Sequence, residues 1–389
     1  MTLPHLPGAR PATGVVASPF FATAEDRVAW ARQRYFEEGQ RPSGLVSEAV
    51  IQGWQRCLAS GLKPQQRPDF EPIARSRTNA ALARGRTLLD AAGPEIEQLD
   101  RMLAGTGCKV ILVDGAGVVL RATAASAVAR TPLELGARVG VSLAENNLGC
   151  TAPSVTARST RACTVSGGEH FFGVLGQIHC AAAPIHNREG ELAAVLDLSI
   201  EGRPFAFDAF GLVKLFAAAI ENRYVAAQAH ERLLVRFQVA PTMLGTPMEG
   251  LAVVDGAGQV AWINAAGSAL LEPPGMPAAR RDVEHLFGLT LMQLLGLCSA
   301  STPLPHRLPS GLGVWLLAVA PGSRRPGPAE DAPSMPAAPP SLDEVHRHHI
   351  EQTLAAAGGN ISEAARRLGV SRGLLYRRLR AWREGHGSA

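Results

Sequence analysis

The sequence predicts an α+β chain made of a helical N-terminal segment, two α+β domains of unequal size and a separate all-α tail. Three observations carry this. Apolar spacing changes from helical to strand-like near Gly107 and returns to helical beyond residue 340. The pentapeptide Val-Asp-Gly-Ala-Gly occurs twice, at 113–117 and 254–258, each time between short apolar runs. Residues 321–340 are rich in Pro, Gly, Ser and Ala and too poor in large apolar groups to bury a core, so they read as a linker. A chain of 389 residues has room for two or three domains.

Taken in order, residues 1–24 read as a flexible leader and 25–84 as an opening helical segment. Val50, Ile51 and Trp54 recur at helical steps, and Gly61 and Pro64 stop that helix. The first α+β domain is placed at 85–228. It holds a hairpin, in which Lys109 to Asp114 and Val118 to Leu120 flank a Gly-Ala-Gly turn. Strands follow at 176–184 and 192–199, with a turn at 187–190. A long amphipathic helix is expected from about Phe207 to Phe237. The second domain, 229–320, repeats the hairpin at 251–264 and closes on a strand at 311–320. The tail spans 341–389.

Charge and cysteine content limit the function classes. Net charge is +4 and charged residues make up 19%, so no global field drives the chain onto nucleic acid, and only a local basic patch could do so. The six cysteines form no C-x-x-C pair, and a chain of this length needs no disulfide staples. No run of about 18 apolar residues is present to span a membrane. The expectation is a soluble cytoplasmic protein with reduced thiols.

The basic patch lies in the tail. Ser341 can cap a first helix that ends at Gly358 and Gly359. Asn360 caps a second, with Glu363 three residues on in a capping-box arrangement. Gly369 turns the chain, Val370 is expected to pack inward, and Ser371 caps a third helix with Leu374, Leu375 and Leu379 toward the core. Seven arginines then face a single acid, Glu363, over 361–383. The helix–turn–helix spacing suits a reader of the DNA major groove, whose recognition-helix N-terminus meets the bases. Arg372, Gly373 and Tyr376 are accordingly assigned to base reading. Arg377, Arg378 and Arg380 go mainly to phosphates, with Arg366 and Arg367 flanking them. Residues 360–379 closely resemble the Fis-type helix-turn-helix that closes bacterial enhancer-binding regulators. The resemblance implies a dimer on double-stranded promoter DNA. Gly373 departs from the more usual Ser or Thr.

Further stretches resemble the acetoin-catabolism regulators of that class. Val50-Ile-Gln-Gly-Trp-Gln-Arg-Cys57 is similar to their helical opening. Glu145-Asn-Asn-Leu-Gly149, Gly168-Glu-His-Phe171, Cys180-Ala-Ala-Ala-Pro-Ile185 and Val195-Leu-Asp-Leu-Ser199 are similar to their GAF domain. That resemblance implies a sheet enclosing a pocket for a small-molecule effector. Glu145, Asn147, Cys150, Thr151, His170 and Cys180 are its candidate lining, and Cys150-Thr151 replaces the usual Thr-Asn. The second hairpin, 254–264, resembles the N-terminal half of a PAS domain and is ranked first as a dimerisation or spacer unit.

Several side chains also invite sharper chemistry. Glu169, His170, His179 and Cys180 invite a metal, but neighbours on a strand point to opposite faces. Cys150, Cys163 and Cys180 invite a redox switch, and a Cys/His hydrolase would need an activated thiolate. Structural or pocket-lining roles are preferred for all of them, and the cluster His346, His348 and His349 reads as a solvated helix face. No catalytic residue, metal or cofactor is assigned. Enhancer-binding regulators carry an ATPase between sensor and tail, whereas no Gly-Lys-Ser/Thr phosphate loop and no Gly-Ala-Phe-Thr-Gly-Ala loop occurs here. The expected protein is a ligand-responsive regulator without a motor, working as a homodimer with RNA polymerase as a further partner and no membrane contact. The alternative is an accessory protein that heterodimerises with an ATP-hydrolysing sigma-54 activator.

Overall fold

A computed structural model describes residues 21–123, 131–229, 231–271, 281–322, 353, 360–367, 370–373 and 375. The chain divides into two compact units, 1–324 and 325–389.

The larger unit begins with helices α1 (Ala24–Phe36) and α2 (Glu48–Ala59). Thr23 caps α1 in a capping box with Asp26, and the Ser47 hydroxyl caps α2. Val50, Ile51, Trp54 and Cys57 are the buried stripe of α2. Helices α3 (Arg75–Arg84) and α4 (Arg86–Met102) follow, meeting at Gly85.

Five antiparallel strands then form the first sheet: β1 (Lys109–Asp114), β2 (Val119–Ala122), β3 (Cys163–Ser166), β4 (Ile178–His186) and β5 (Leu192–Glu201), in the order β2-β1-β5-β4-β3. Three short helices, α5 (Pro132–Gly136), α6 (Glu145–Leu148) and α7 (Ala152–Ser159), lie between β2 and β3. The long helix α8 (Ala209–Gln228) closes this part.

Alternation along β5 sorts side chains onto two faces. Ala194, Leu196 and Leu198 join Val110 and Leu112 of β1 in a core shared with α4 and α8. Val195 belongs to the opposite core, with Ile111, Cys180 and the apolar stripes of α1 and α2. By the same period, Asp197 and Ser199 face that second side.

The second sheet comprises β6 (Leu233–Gln238), β7 (Gly250–Val254), β8 (Val260–Ile263), β9 (Leu304–Arg307) and β10 (Gly313–Val319), again antiparallel, in the order β8-β7-β6-β10-β9. Helices α9 (Ala265–Leu271), α10 (Val283–Phe287) and α11 (Leu291–Leu297) accompany it. The repeated pentapeptide makes the same turn in both sheets. Asp114 Oδ1 accepts from the amides of Ala116 and Val118, and Asp255 Oδ1 from those of Ala257 and Gln259. Gly117 and Gly258 take φ of 86° and 80°, a left-handed conformation that glycine adopts without strain. Each hairpin also carries a register shift at the matching place, Leu112/Val113 and Val253/Val254.

One element departs from the sequence expectation. The helix expected to reach Phe237 stops at Gln228, and Leu233–Gln238 is the central strand of the second sheet, paired with both β7 and β10. A strand covered on both faces is apolar almost throughout, so its run joins the helical pattern without a visible break.

Helix α8 serves both sheets. Val213, Phe216, Ala217 and Ile220 sit under the first, while Val225, with the following Ala229, packs on Leu234, Leu251, Val253 and Trp262 of the second. Between these stretches the buried Asn222 accepts a 2.9 Å hydrogen bond from Asn264, which also donates to the Glu249 carbonyl.

In the smaller unit, helix α12 (Ile361–Arg367) starts where Asn360 Oδ1 accepts from the amides of Ser362 and Glu363. Ala365 and Leu375 are buried, whereas Val370, expected to pack inward, is 37% exposed. The linker from 323 onward and the expected first helix of the tail, apart from Thr353, lie outside the described residues.

Candidate functional site

A cavity of about 40 Å³ opens on the face of the first sheet that carries Asp197. Its walls are largely apolar: Ile111, Leu133, Leu143, Leu148, Leu175 and Ile178 among them. Thr151, His170, Cys180, Asp197 and Ser199 are the polar lining residues. Three of these, Thr151, His170 and Cys180, are among the six candidates read from the sequence.

The other three candidates point elsewhere. Glu145 receives two 2.7 Å bonds from Arg56 and ties α6 to α2. Asn147 donates to the carbonyls of Asp69 and Ser142. Cys150 turns its thiol to α2, where the bare backbone of Gly53 admits it; a Cβ there would lie 2.5 Å from Sγ. All three brace the helices around the cavity instead of lining it.

Asp197 and Ser199 were missed as lining residues, although they lie in the stretch Val195-Leu-Asp-Leu-Ser199. The signal was a carboxylate inside an otherwise apolar strand, a placement that chains avoid unless the charge is compensated or used.

The polar groups form one connected chain. Ser199 Oγ lies 2.6 Å from Asp197 Oδ2 and 3.1 Å from Cys180 Sγ, which is 3.5 Å from His170 Nε2. His170 Nδ1 lies 3.0 Å from the Gly167 carbonyl. A carbonyl can only accept, so Nδ1 carries the proton and Nε2 presents its lone pair to the cavity side. Burial pushes the His170 pKa down to about 4, so the ring is neutral. Burial pushes Asp197 up to about 7, against the Ser199 hydrogen bond that lowers it. The second carboxyl oxygen, Asp197 Oδ1, is buried and has no hydrogen-bond partner.

The loop bearing His170 is held from outside by the N-terminal helices. Arg32 of α1 donates to the carbonyls of Gly168, His170 and Phe171, at 2.8, 2.5 and 3.2 Å. Its guanidinium stacks on Phe36 and Trp54. The indole of Trp54 donates to the Glu169 carbonyl at 2.8 Å.

This arrangement does not favour thiol or imidazole chemistry. Burial raises the Cys163 thiol to about 11 and holds Cys150 and Cys180 well above their ordinary value. The protonated thiol is a poor nucleophile and a poor redox centre. A His170 titrating near 4 is too weak a base to activate Cys180, and its far nitrogen is committed to a backbone carbonyl. Among the described residues, no group of three or more His, Cys, Asp and Glu is placed to hold a metal. No helix among them is long and apolar enough to cross a membrane.

For the tail, the structure places Ser371, Arg372 and Gly373 at an exposed surface. Leu375 N–H bonds the Ser371 carbonyl and so begins a helical turn. Arg366 pairs with Glu363 and stays largely exposed. The side chain of Arg367, and Tyr376, Arg377, Arg378 and Arg380, lie outside the described residues.

Comparison with known proteins agrees with this layout. Residues 23–222 match the MimR N-terminal domain, and 341–382 match the bacterial regulatory protein, Fis family. The chain is 29% identical over 310 residues to the acetoin catabolism regulatory protein of Cupriavidus necator, covering 75% of this chain and 46% of that one. It is 26% identical over 195 residues to the propane 2-monooxygenase operon transcriptional activator MimR of Mycolicibacterium smegmatis, covering 50% and 32%. The chain thus spans less than half the length of these relatives. The crystal structure of the E. coli DhaR(N)-DhaL complex matches with a TM-score of 0.44 at 15% identity, over 71% of this chain and 100% of that one. With more than half of its length in the first match, the chain belongs to the MimR N-terminal domain family of regulators, here joined to a Fis-type tail with no phosphate-loop ATPase motif in the sequence.

Proposed function

We propose that this protein is a DNA-binding transcription regulator in which a small effector, held in the cavity of the first sheet, controls promoter binding by the tail. Residues 85–228 act as the sensor, 229–320 as a spacer or dimerisation unit, 321–340 as the linker and 341–389 as the DNA-binding domain. Arg372, Gly373 and Tyr376 read bases. Arg366, Arg367, Arg377, Arg378 and Arg380 hold phosphate, and Ser371 caps the recognition helix. The chain works as a homodimer and influences RNA polymerase without hydrolysing ATP.

The observation that carries this reading is the cavity, apolar except for one connected set of buried polar groups. Small-molecule sites have that composition, with a few polar groups fixing orientation. The relatives' printed names concern acetoin catabolism and a propane 2-monooxygenase operon, which is in keeping with a small-molecule effector. Coupling requires the effector to favour one of two states of the protein. Helix α8, buried against both sheets, is the element able to carry the difference.

A mobility-shift assay with the full chain and its own upstream region tests the reading. Specific binding that weakens with salt and falls in Arg372→Ala supports it. Binding that is absent, or indifferent to Arg372→Ala and Arg377→Ala, overturns it. A second reading, heterodimerisation with an ATP-hydrolysing sigma-54 activator, is favoured by the greater length of the relatives. Co-purification of such a partner would select it.

A further inference from the structure

Residues 72–89, most of them helix α3 and the start of α4, hold four arginines and no acid: Arg75, Arg77, Arg84 and Arg86. All four are exposed, and none forms an ion pair among the described residues. Two of them stand where a helix disfavours them. Arg75 and Arg77 lie in the first turn of α3, where the macrodipole favours acids, and that helix has neither a first-turn acid nor a side-chain cap.

Packing leaves α3 standing out from the fold. Only Ala81 is buried, with Thr78 and Leu82 half-buried, and these mark its seated side. At about 100° per residue, Arg77 and Arg84 lie two turns apart, about 10 Å, along one flank, and Arg75 lies on the other. Between the flanks the outward crest is Ser76, Asn79, Ala80 and Ala83, all exposed, small and uncharged.

Such a face narrows the partner. A crest without large apolar side chains has nothing to insert into a lipid surface. It also cannot form the apolar, aromatic-rich centre of a protein interface. What it allows is close approach to a surface bearing negative charge on both sides of the helix. Duplex DNA is such a surface, with one charge per about 1.7 Å of its axis, and guanidinium forks fit phosphate oxygens. A tail that grips DNA holds that duplex at raised effective concentration for the rest of its own chain.

We propose that the exposed face of α3 is a second DNA contact, in which Arg75, Arg77, Arg84 and Arg86 hold backbone phosphates without reading bases. This contact rests on the DNA-binding reading of the tail and adds to it a sequence-blind grip from the N-terminal part of the chain.

A full chain carrying Arg75→Gln, Arg77→Gln, Arg84→Gln and Arg86→Gln tests it. The control carries Arg101→Gln, Arg158→Gln, Arg161→Gln and Arg307→Gln, four exposed arginines scattered elsewhere, and so loses the same net charge. Both are compared with the parent and Arg372→Ala by fluorescence anisotropy over a salt series. One duplex is the chain's own upstream region and the other an unrelated sequence. The α3 variant should lower the slope of log affinity against log salt by about 2–4, at about 0.9 for each phosphate released. At the lowest salt it should bind both duplexes at least about tenfold more weakly, with the preference between them kept. The control should stay within about 0.5 of the parent slope. An α3 variant that behaves as the control does would overturn the proposal; the tail reading survives if Arg372→Ala still loses specific binding. A parent that binds neither duplex would sink both. An α3 variant with the parent's DNA slope but a smaller sedimentation coefficient would give the face to a second copy, again overturning the proposal. Should the fourfold variant not fold, the pairs Arg75/Arg77 and Arg84/Arg86 are replaced separately, each expected to lower the slope by about 1–2.

Discussion

Replacing Asp197 by asparagine should make the stability of the first domain rise with pH across the acid range, where in the parent two opposed terms nearly cancel. Asp197 and His170 are both wholly buried, and burial moves them in opposite directions, the carboxyl up to about 7 and the imidazole down to about 4. Between pH 4 and 7 the native Asp197 keeps a proton that the unfolded chain releases. Stability from this residue therefore falls as pH rises, at about 1.4 kcal/mol per unit. The native His170 stays neutral, while the unfolded chain takes up a proton below its ordinary 6.5. Its contribution rises with pH from about 4 to 6.5 and is then complete. The two slopes oppose each other over most of the acid range.

From pH 5 to pH 7 the carboxyl, half ionised by pH 7, removes about 2 kcal/mol and the imidazole returns about 2, so the two nearly cancel in the parent. Asp197→Asn leaves the imidazole alone and should gain about 2 kcal/mol over the same interval, with its amide oxygen able to accept from Ser199 as the carboxyl oxygen does. His170→Gln leaves the carboxyl alone and should lose about 2 kcal/mol. Urea unfolding at the two pH values provides the assay. It can be followed by the fluorescence of Trp54, whose indole is bonded to the residue before His170. Glu169, His179 and His186 are also shifted but are common to all three proteins, so they cancel in the differences. If Asp197→Asn tracks the parent across this range to within about 0.5 kcal/mol, Asp197 does not hold a proton in the native cavity.

Other substitutions test the remaining structural claims. Arg32→Met removes three charge-assisted bonds from the loop bearing His170 and should cost about 2–3 kcal/mol in urea unfolding. An unchanged midpoint would mean that α1 does not hold that loop. Asn222→Ala should cost only about 1 kcal/mol, because Asn222 Nδ2 is itself buried without a partner and its removal offsets part of the bond lost to Asn264. Leu198→Ala, at the centre of the α4–α8 core, should cost about 2–5 kcal/mol by differential scanning calorimetry. For the tail, Arg372→Ala should weaken specific DNA binding by about 1–3 kcal/mol and relax preference at one base position if Arg372 reads a base. If it holds only phosphate, binding should weaken on all sequences and the salt slope fall by about 0.9.

The parts of the fold legible in the sequence were those with a local signature. The twin hairpins announced themselves through Asp-Gly-Ala-Gly, because the carboxylate that accepts two amides and the glycine at positive φ belong to the turn alone. The β6 strand carried no such mark. Its apolar run follows a helix that ends at Gln228 without a proline or a terminal glycine, and its identity comes from pairing with β7 and β10. The cavity divided similarly. His170 and Cys180 stand out by residue type, but Glu145, Asn147 and Cys150 stand out equally, and only tertiary placement sends them to Arg56, to backbone carbonyls and to Gly53. Asp197 could have been found from period alone. With Leu196 and Leu198 turned to one core, residues 195, 197 and 199 must share the other face, and the middle one is an acid.

Placement of α8 determines how an event at the cavity can leave the first domain. Leu196 and Leu198 are buried between the cavity face of β5 and α8, in one core with Phe216 and Ile220. A close-packed layer transmits displacement because it has no slack to absorb it. If an effector is held in the cavity as proposed, movement of Asp197 or Ser199 would reach Phe216 and Ile220 through their neighbours on the same strand. Nine residues beyond Ile220 the chain has already passed Asn222 and Val225, which are fixed to the second sheet. The helix cannot shift under one sheet without disturbing its contacts with the other. The Asn222–Asn264 bond is the polar point in that otherwise apolar seam, and it penalises a slide of even one residue along α8, because any other register would leave the buried Asn222 amide without its partner. A discrete two-position response of α8 is thus favoured over a graded one. Combining Asn222→Leu with Asn264→Leu should loosen that restriction while leaving the cavity intact, so that an effector still perturbs His170 but no longer alters hydrogen exchange in β7. Unchanged coupling in the double variant would refute the role given to the pair.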